Sequence, residues 1–159
     1  MIIFARMNEP QSLKLALFDF CKKNIANRID TIQRRLKDIE ASRDNETKSS
    51  VGDKYETGRA MMQLELEKAS VQLSDAVQVQ NRLLNINIEK PSDTVIPGSL
   101  VITNTGKYFL SVGVGKIPFD GVVYYGISPA SPIGKLLLHK KTGDEFNFNN
   151  KEIVIKKIL

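Results

Sequence analysis

From Gln11 to Asn87 the chain contains no proline, and glycine occurs there only at Gly52 and Gly58. Within that stretch Ile25, Ile29, Ile32, Leu36 and Ile39 follow at steps of 4, 3, 4 and 3. This is the heptad spacing that keeps one apolar stripe of a helix against a partner helix. Met62, Leu66, Ala69, Leu73, Ala76 and Leu83 give a matching stripe, with polar Gln80 at one heptad position. The residues between, 42–52, are polar and turn-prone. A first helix is therefore expected to start near Gln11, just after Pro10, and to stop at Ala41. Asp53, with Glu56 three residues on, reads as a capping box opening a second helix that runs to about Leu84. Two long stripes with one short polar link make an antiparallel helical hairpin, a coiled coil. Thirty helical residues span about 45 Å, so the link at 42–53 is a tip held far from any globular core.

The composition changes near Pro91. Beyond it glycine and proline recur and β-branched residues dominate, which reads as a strand-rich half: 1–90 is the hairpin and 91–159 a second domain. Strands are expected at 99–103, 107–114, 121–127, 144–148 and 153–158. Asn104-Thr105-Gly106 suits a hairpin turn. Ser131 caps a short helix with Pro132 in its first turn, where the missing N–H is harmless. One short helix on a twisted antiparallel sheet, added to the hairpin, makes the chain α+β.

Composition narrows the function classes. No apolar run reaches the roughly 20 residues of a membrane span, and the opening Met1-Ile2-Ile3-Phe4 stretch is too short for a signal-peptide core. The expectation is a cytoplasmic protein with no membrane partner. A single cysteine, Cys21, forms no internal disulfide and lies in a helical pattern, as a packing thiol does. The only histidine is His139. No metal-ligand spacing, phosphate loop or triad order is present, so the chain does not read as a self-sufficient enzyme. The formal charge is +5, with 15 basic against 13 acidic residues in 1–90 and 8 against 5 in 91–159. That mild excess permits contact with nucleic acid or an acidic protein surface without demanding it. Lys140-Lys141 and Lys156-Lys157 are too short to signal anything. Tyr124-Tyr125 and Phe146/Phe148 fit alternating strand faces better than a stacking platform, and Met61-Met62 fits a helical core.

The run Ser131-Pro132-Ile133-Gly134-Lys135-Leu136-Leu137-Leu138-His139-Lys140-Lys141-Thr142-Gly143-Asp144 closely resembles the Gre transcript-cleavage factors of bacteria. That family has a Ser-Pro-Ile/Leu turn, an apolar helix and then Gly-Lys-Lys-x-Gly-Asp; here His139 alone departs, standing where the family has glycine. Val95-Ile96-Pro97-Gly98-Ser99 resembles the family's first strand, and Tyr55-Glu56-Thr57-Gly58-Arg59 resembles the start of its second helix. The resemblance covers nearly the whole chain. It implies an FKBP-like C-terminal domain that docks on RNA polymerase, with Ser131, Pro132 and Ile133 in the docking turn. It also implies a coiled coil, most simply of a monomer, that enters the polymerase secondary channel. There it promotes cleavage of backtracked RNA, with Mg2+ held jointly by the tip acids and the polymerase. Carboxylates suit that ion because it prefers hard oxygen donors, and two-metal hydrolysis needs both cations placed.

The family's tip reads Gly-Asp-Leu-Ser-Glu-Asn-Ala-Glu-Tyr. Anchored on Tyr55, its two acids fall on Lys48 and Val51, and neither side chain binds magnesium. The nearby acids are Asp44 and Glu46, the candidate metal ligands if the loop has a different register, and Asp53, an assisting acid or only a helix cap. Arg34, Arg35, Lys37 and Arg43 on the first helix are candidates for contacting the nascent RNA 3′ end, since phosphate contacts need no sequence code. The bland alternative is a solvated coiled-coil face. Two further functional readings stay open: a channel-occupying regulator without cleavage, and an FKBP-like prolyl isomerase with a helical arm.

Overall fold

The protein is described here by a computed structural model covering residues 9–49 and 53–159, with side chains at 46–49 and 53–55 left aside. The order of elements is α1 (Glu9–Ser49), α2 (Asp53–Leu84), β1 (Leu100–Thr103), β2 (Lys107–Leu110), β3 (Gly115–Phe119), β4 (Val122–Ile127), α3 (Pro132–Leu137), β5 (Glu145–Phe148) and β6 (Lys151–Ile158). Two long helices precede a six-stranded mixed sheet, an α+β arrangement. Among the described residues no helix is long and apolar enough to cross a membrane.

The chain packs as two units. One combines the first part of α1, up to Asn24, with Arg82–Leu159; the other is Ile25–Asn81. The root of the hairpin thus packs with the β half. Packing explains it: Leu17, Cys21 and Leu83 are fully buried, and the Cys21 Sγ lies 3.8 Å from the Ser111 Oγ at the end of β2. Burial there pushes the Cys21 thiol up to about 11, so it is a packing group at neutral pH and not a nucleophile.

In the second unit the heptad spacing holds. Ile25, Ile32 and Ile39 are buried at intervals of seven, as are Ala69 and Ala76 opposite them in the pattern. Ile39 clusters with Leu66 and Ala69, and Leu36 and Met62 pack against them. Met61 departs from the expected core: it is exposed on α2, next to buried-side Met62.

The first helix does not stop at Ala41. It continues to Ser49, so most of the expected loop is helix. Residues 42–49 hold turn-formers (serine, aspartate, asparagine) but no glycine or proline. Such residues weaken a helix by only tenths of a kcal/mol each, and a helix already running has its nucleation cost behind it. Gly52, with Val51, lies outside the described residues.

The sheet order is β3-β4-β2-β1-β6-β5. The expected strand at 107–114 is shorter and is followed by a strand the sequence reading missed. β2 ends at Leu110; a tight turn (Val114 N–H to Val112 O, 2.9 Å) and Gly115 at φ 76° redirect the chain into β3. The valines favour a strand, but the interleaved glycines break it. β3 carries Pro118 and lies at the sheet edge, the place where a strand tolerates proline. Asp120 and Gly121, at φ 50° and 75°, turn the chain into β4, which pairs antiparallel with β3 and parallel with β2. The sheet is therefore mixed, against the expectation of an antiparallel one.

One face of the sheet packs Val101, Leu110 and Ile155 with Val95 and Leu137 of α3, all at most 1% exposed. Truncating Leu137 to alanine removes about three methylenes from a site with no solvent access. The expected loss is about 3 kcal/mol of stability, read as a lower urea midpoint at unchanged slope for the Arg82–Leu159 unit.

Candidate functional site

The segment around α3 is built by capping. The Ser131 Oγ accepts from the Gly134 N–H (3.0 Å) and donates to the Ser128 O (2.6 Å), so one hydroxyl ties the turn to the first helical turn. Pro132 occupies the first helical position, where its fixed φ fits and no donor is lost. Gly134 is required by space: a Cβ there would stand 2.0 Å from the Ser128 O and 2.8 Å from the Ser131 Oγ. Ile133 is half-buried against the core cluster, while Pro132 is exposed. Of the expected docking triplet, then, Ser131 shapes the turn, Ile133 anchors it, and Pro132 is on the surface. Lys135 and Leu136, exposed and three and four residues on from Pro132, share its helix face. The sequence reading missed them, although that spacing was visible in it.

After α3 the chain takes up a left-handed residue, His139, at φ 68°. This is the position after a helix end where glycine is favoured, because a Cβ crowds the following carbonyl. It is also the one place where the motif departs from the family's glycine. The cost is offset by backbone hydrogen bonds: His139 N–H to Val95 O (2.9 Å), Val95 N–H to Lys140 O (2.9 Å) and Lys140 N–H to Leu137 O (3.0 Å). Asp144 closes the following turn by accepting from the Lys141 N–H (2.7 Å). Gly143, at φ 92°, donates to the Ile155 O on β6 (2.7 Å). Ser131, Gly134, His139, Gly143 and Asp144 thus each serve the backbone of the run.

The tip candidates are placed differently from a loop. Asp44 and Glu46 both lie on α1, and Asp53 is the first residue of α2. Asp44 is exposed, and its Oδ1 is 3.8 Å from the Arg43 Nε. A helix turns about 100° per residue, which sets positions 44 and 46 about 200° apart around the axis. Lys48 is also on α1, while Val51 lies outside the described residues.

The basic candidates are not gathered either. Arg34, Arg35 and Lys37 are exposed and Arg43 is half-buried. By helical geometry Arg34 and Lys37 face away from the Ile25–Ile32–Ile39 stripe, Arg35 lies beside it, and Arg43 falls near the stripe itself. Arg34 is moreover paired with Asp30 one turn away. The arrangement is a mixed solvated surface more than a single cationic face.

No family model matches the chain, and no curated protein matches it.

Two substitutions test the capping account by thermal and urea unfolding. Gly134→Ala forces Ser128 or Ser131 to move and is expected to destabilise by about 2 kcal/mol or more, in the range of overpacking. His139→Gly relieves the left-handed residue and is expected to stabilise by about 1 kcal/mol.

Proposed function

We propose that this protein is an accessory factor of RNA polymerase. It docks through the α3 segment, reaches the secondary channel with the distal hairpin, and promotes cleavage of backtracked RNA at the polymerase's own active site. The observation that carries the reading is the Ser131–Asp144 run. Apart from His139 its residues match the transcript-cleavage family's motif, and Ser131, Pro132 and Gly134 build a capped turn that displays Pro132, Lys135 and Leu136. The long hairpin with an acid-bearing tip supports the same reading. The protein acts as a cytoplasmic monomer in this account, and the hydrolytic chemistry belongs to the polymerase.

Magnesium would be held mainly by polymerase groups, with one hard oxygen donor contributed from the tip. Asp44, an exposed carboxylate on α1, and Glu46 are the candidates for that part, with Asp53 assisting from the start of α2. The ion supplies charge stabilisation for the attacking and leaving oxygens. This chain's residues position the carboxylate and exclude bulk water. Lys37, seven residues before Asp44 and so on the same side of α1, and Arg35 are its contacts for the RNA 3′ end.

The second reading is a channel-occupying regulator without cleavage activity. It is favoured by Lys48, which stands on α1 where the family's aligned acid would be. Transcript cleavage in a backtracked elongation complex with the cognate polymerase and magnesium separates the two. The first reading expects shortened RNA, lost in an Asp44→Ala/Glu46→Ala/Asp53→Ala variant that still binds polymerase. Intact RNA with retained polymerase binding by the natural sequence would favour the regulator, and absence of binding would overturn both.

A further inference from the structure

Lys156 and Lys157 are adjacent in β6, so regular alternation would send them to opposite faces of the sheet. The register shows otherwise. Lys157 pairs with Ile102, yet the next residue of β1, Thr103, pairs with Ile155. Lys156 is the extra residue of a β-bulge. The packing agrees: Ile155 and Ile158, three residues apart, both belong to the cluster beneath α3. With both isoleucines on that face, the two lysines between them are left outside it, and both are exposed.

The bulge brings a third cation into line. Lys107 pairs with Ile102 from the β2 side, and directly opposed residues share a face. Lys107 and Lys157 therefore flank half-buried Ile102 on one face, two strand spacings or about 10 Å apart. The Lys107 Nζ lies 5.6 Å from the centre of the Tyr124 ring, which fixes the side chain over an apolar support. None of the three lysines has a carboxylate partner among the described residues. Two acids of β5 and β6, Glu145 and Glu152, are engaged with each other, which holds the Glu145 carboxyl above its usual range, and Asp120 acts on the hydroxyl of Tyr124 beneath Lys107. The two glutamates bound the positive row on the β5 side.

We propose that Lys107, Lys156 and Lys157 form a binding row for the phosphate backbone of a nucleic acid. It is separate from the hairpin tip and independent of the polymerase reading. A line of point charges with no planar fork suits phosphates, which lysine contacts as a simple cation. The acid pair alongside repels a polyanion from one flank and so confines it to the row.

The test is binding of the full chain to a labelled single-stranded RNA and to a labelled DNA duplex, followed by fluorescence anisotropy from low to moderate salt. The Lys107→Gln/Lys156→Gln/Lys157→Gln variant is compared with Lys23→Gln/Lys68→Gln/Lys151→Gln, which removes equal charge from exposed positions elsewhere. Binding is expected to weaken about tenfold in the first variant, and the salt slope on single strands to fall by about 2, as for three lost phosphate contacts. The control variant should change either quantity far less. Equal losses in both variants would reduce the effect to net charge and overturn the proposal. So would poly-glutamate competing as well as RNA at equal charge concentration, since that would assign the row to an acidic protein. Circular dichroism of both variants checks that the fold is kept.

Discussion

Two backbone hydrogen bonds, His139 N–H to Val95 O and Val95 N–H to Lys140 O, join the segment after α3 to the segment before β1. The rest of the β half depends on that join. It holds α3 across the sheet so that Leu137 closes the cluster of Val95, Val101, Leu110 and Ile155. It also explains why His139 is carried in a left-handed conformation: releasing it would leave the backbone N–H and O of buried Val95 without partners, which costs more than the strain. The displayed surface of Pro132, Lys135 and Leu136 is a consequence of a helix pinned at both ends, by Ser131 at one and by Val95 at the other.

The distal hairpin follows a different economy. Its buried residues are isoleucines on α1 and Leu66, Ala69 and Ala76 on α2, and the small residues among them allow close approach of two helices. Such a unit stays narrow. Between 25 and 49, α1 spans about 37 Å at the usual rise. Slenderness and reach are the properties that the proposed function asks of it, and both follow from a stripe too thin to recruit a third element.

The fold leaves charge unevenly distributed. On the hairpin, cations and acids alternate around α1, and Arg34 is satisfied by Asp30. On the sheet, one extra residue in β6 lines up three lysines and keeps two glutamates together beside them. A chain of modest net charge can thus hold a locally strong cationic row, which overall composition does not report.

Local rules made much of the molecule legible from its residues. The heptad steps announced the hairpin, and the Ser131-Pro132 pair announced the start of α3. Asn104-Thr105-Gly106 announced a turn, which Thr103 closes through Gly106. These depend on neighbours within a few positions, so the sequence by itself determined them. It also determined that any acids at the tip would be Asp44, Glu46 and Asp53, though not which way they face. The tertiary structure decided the continuation of α1 to Ser49, the insertion of β4 beside β2, the attachment of the hairpin root to the β half, and the pairing of Lys156 with Lys157 on one face. Each of these turns on a partner far along the chain: β4 for β2, Ser111 for Cys21, and Thr103 for Ile155. Long-range pairing sets which side of a strand or helix is covered, and no local periodicity contains it.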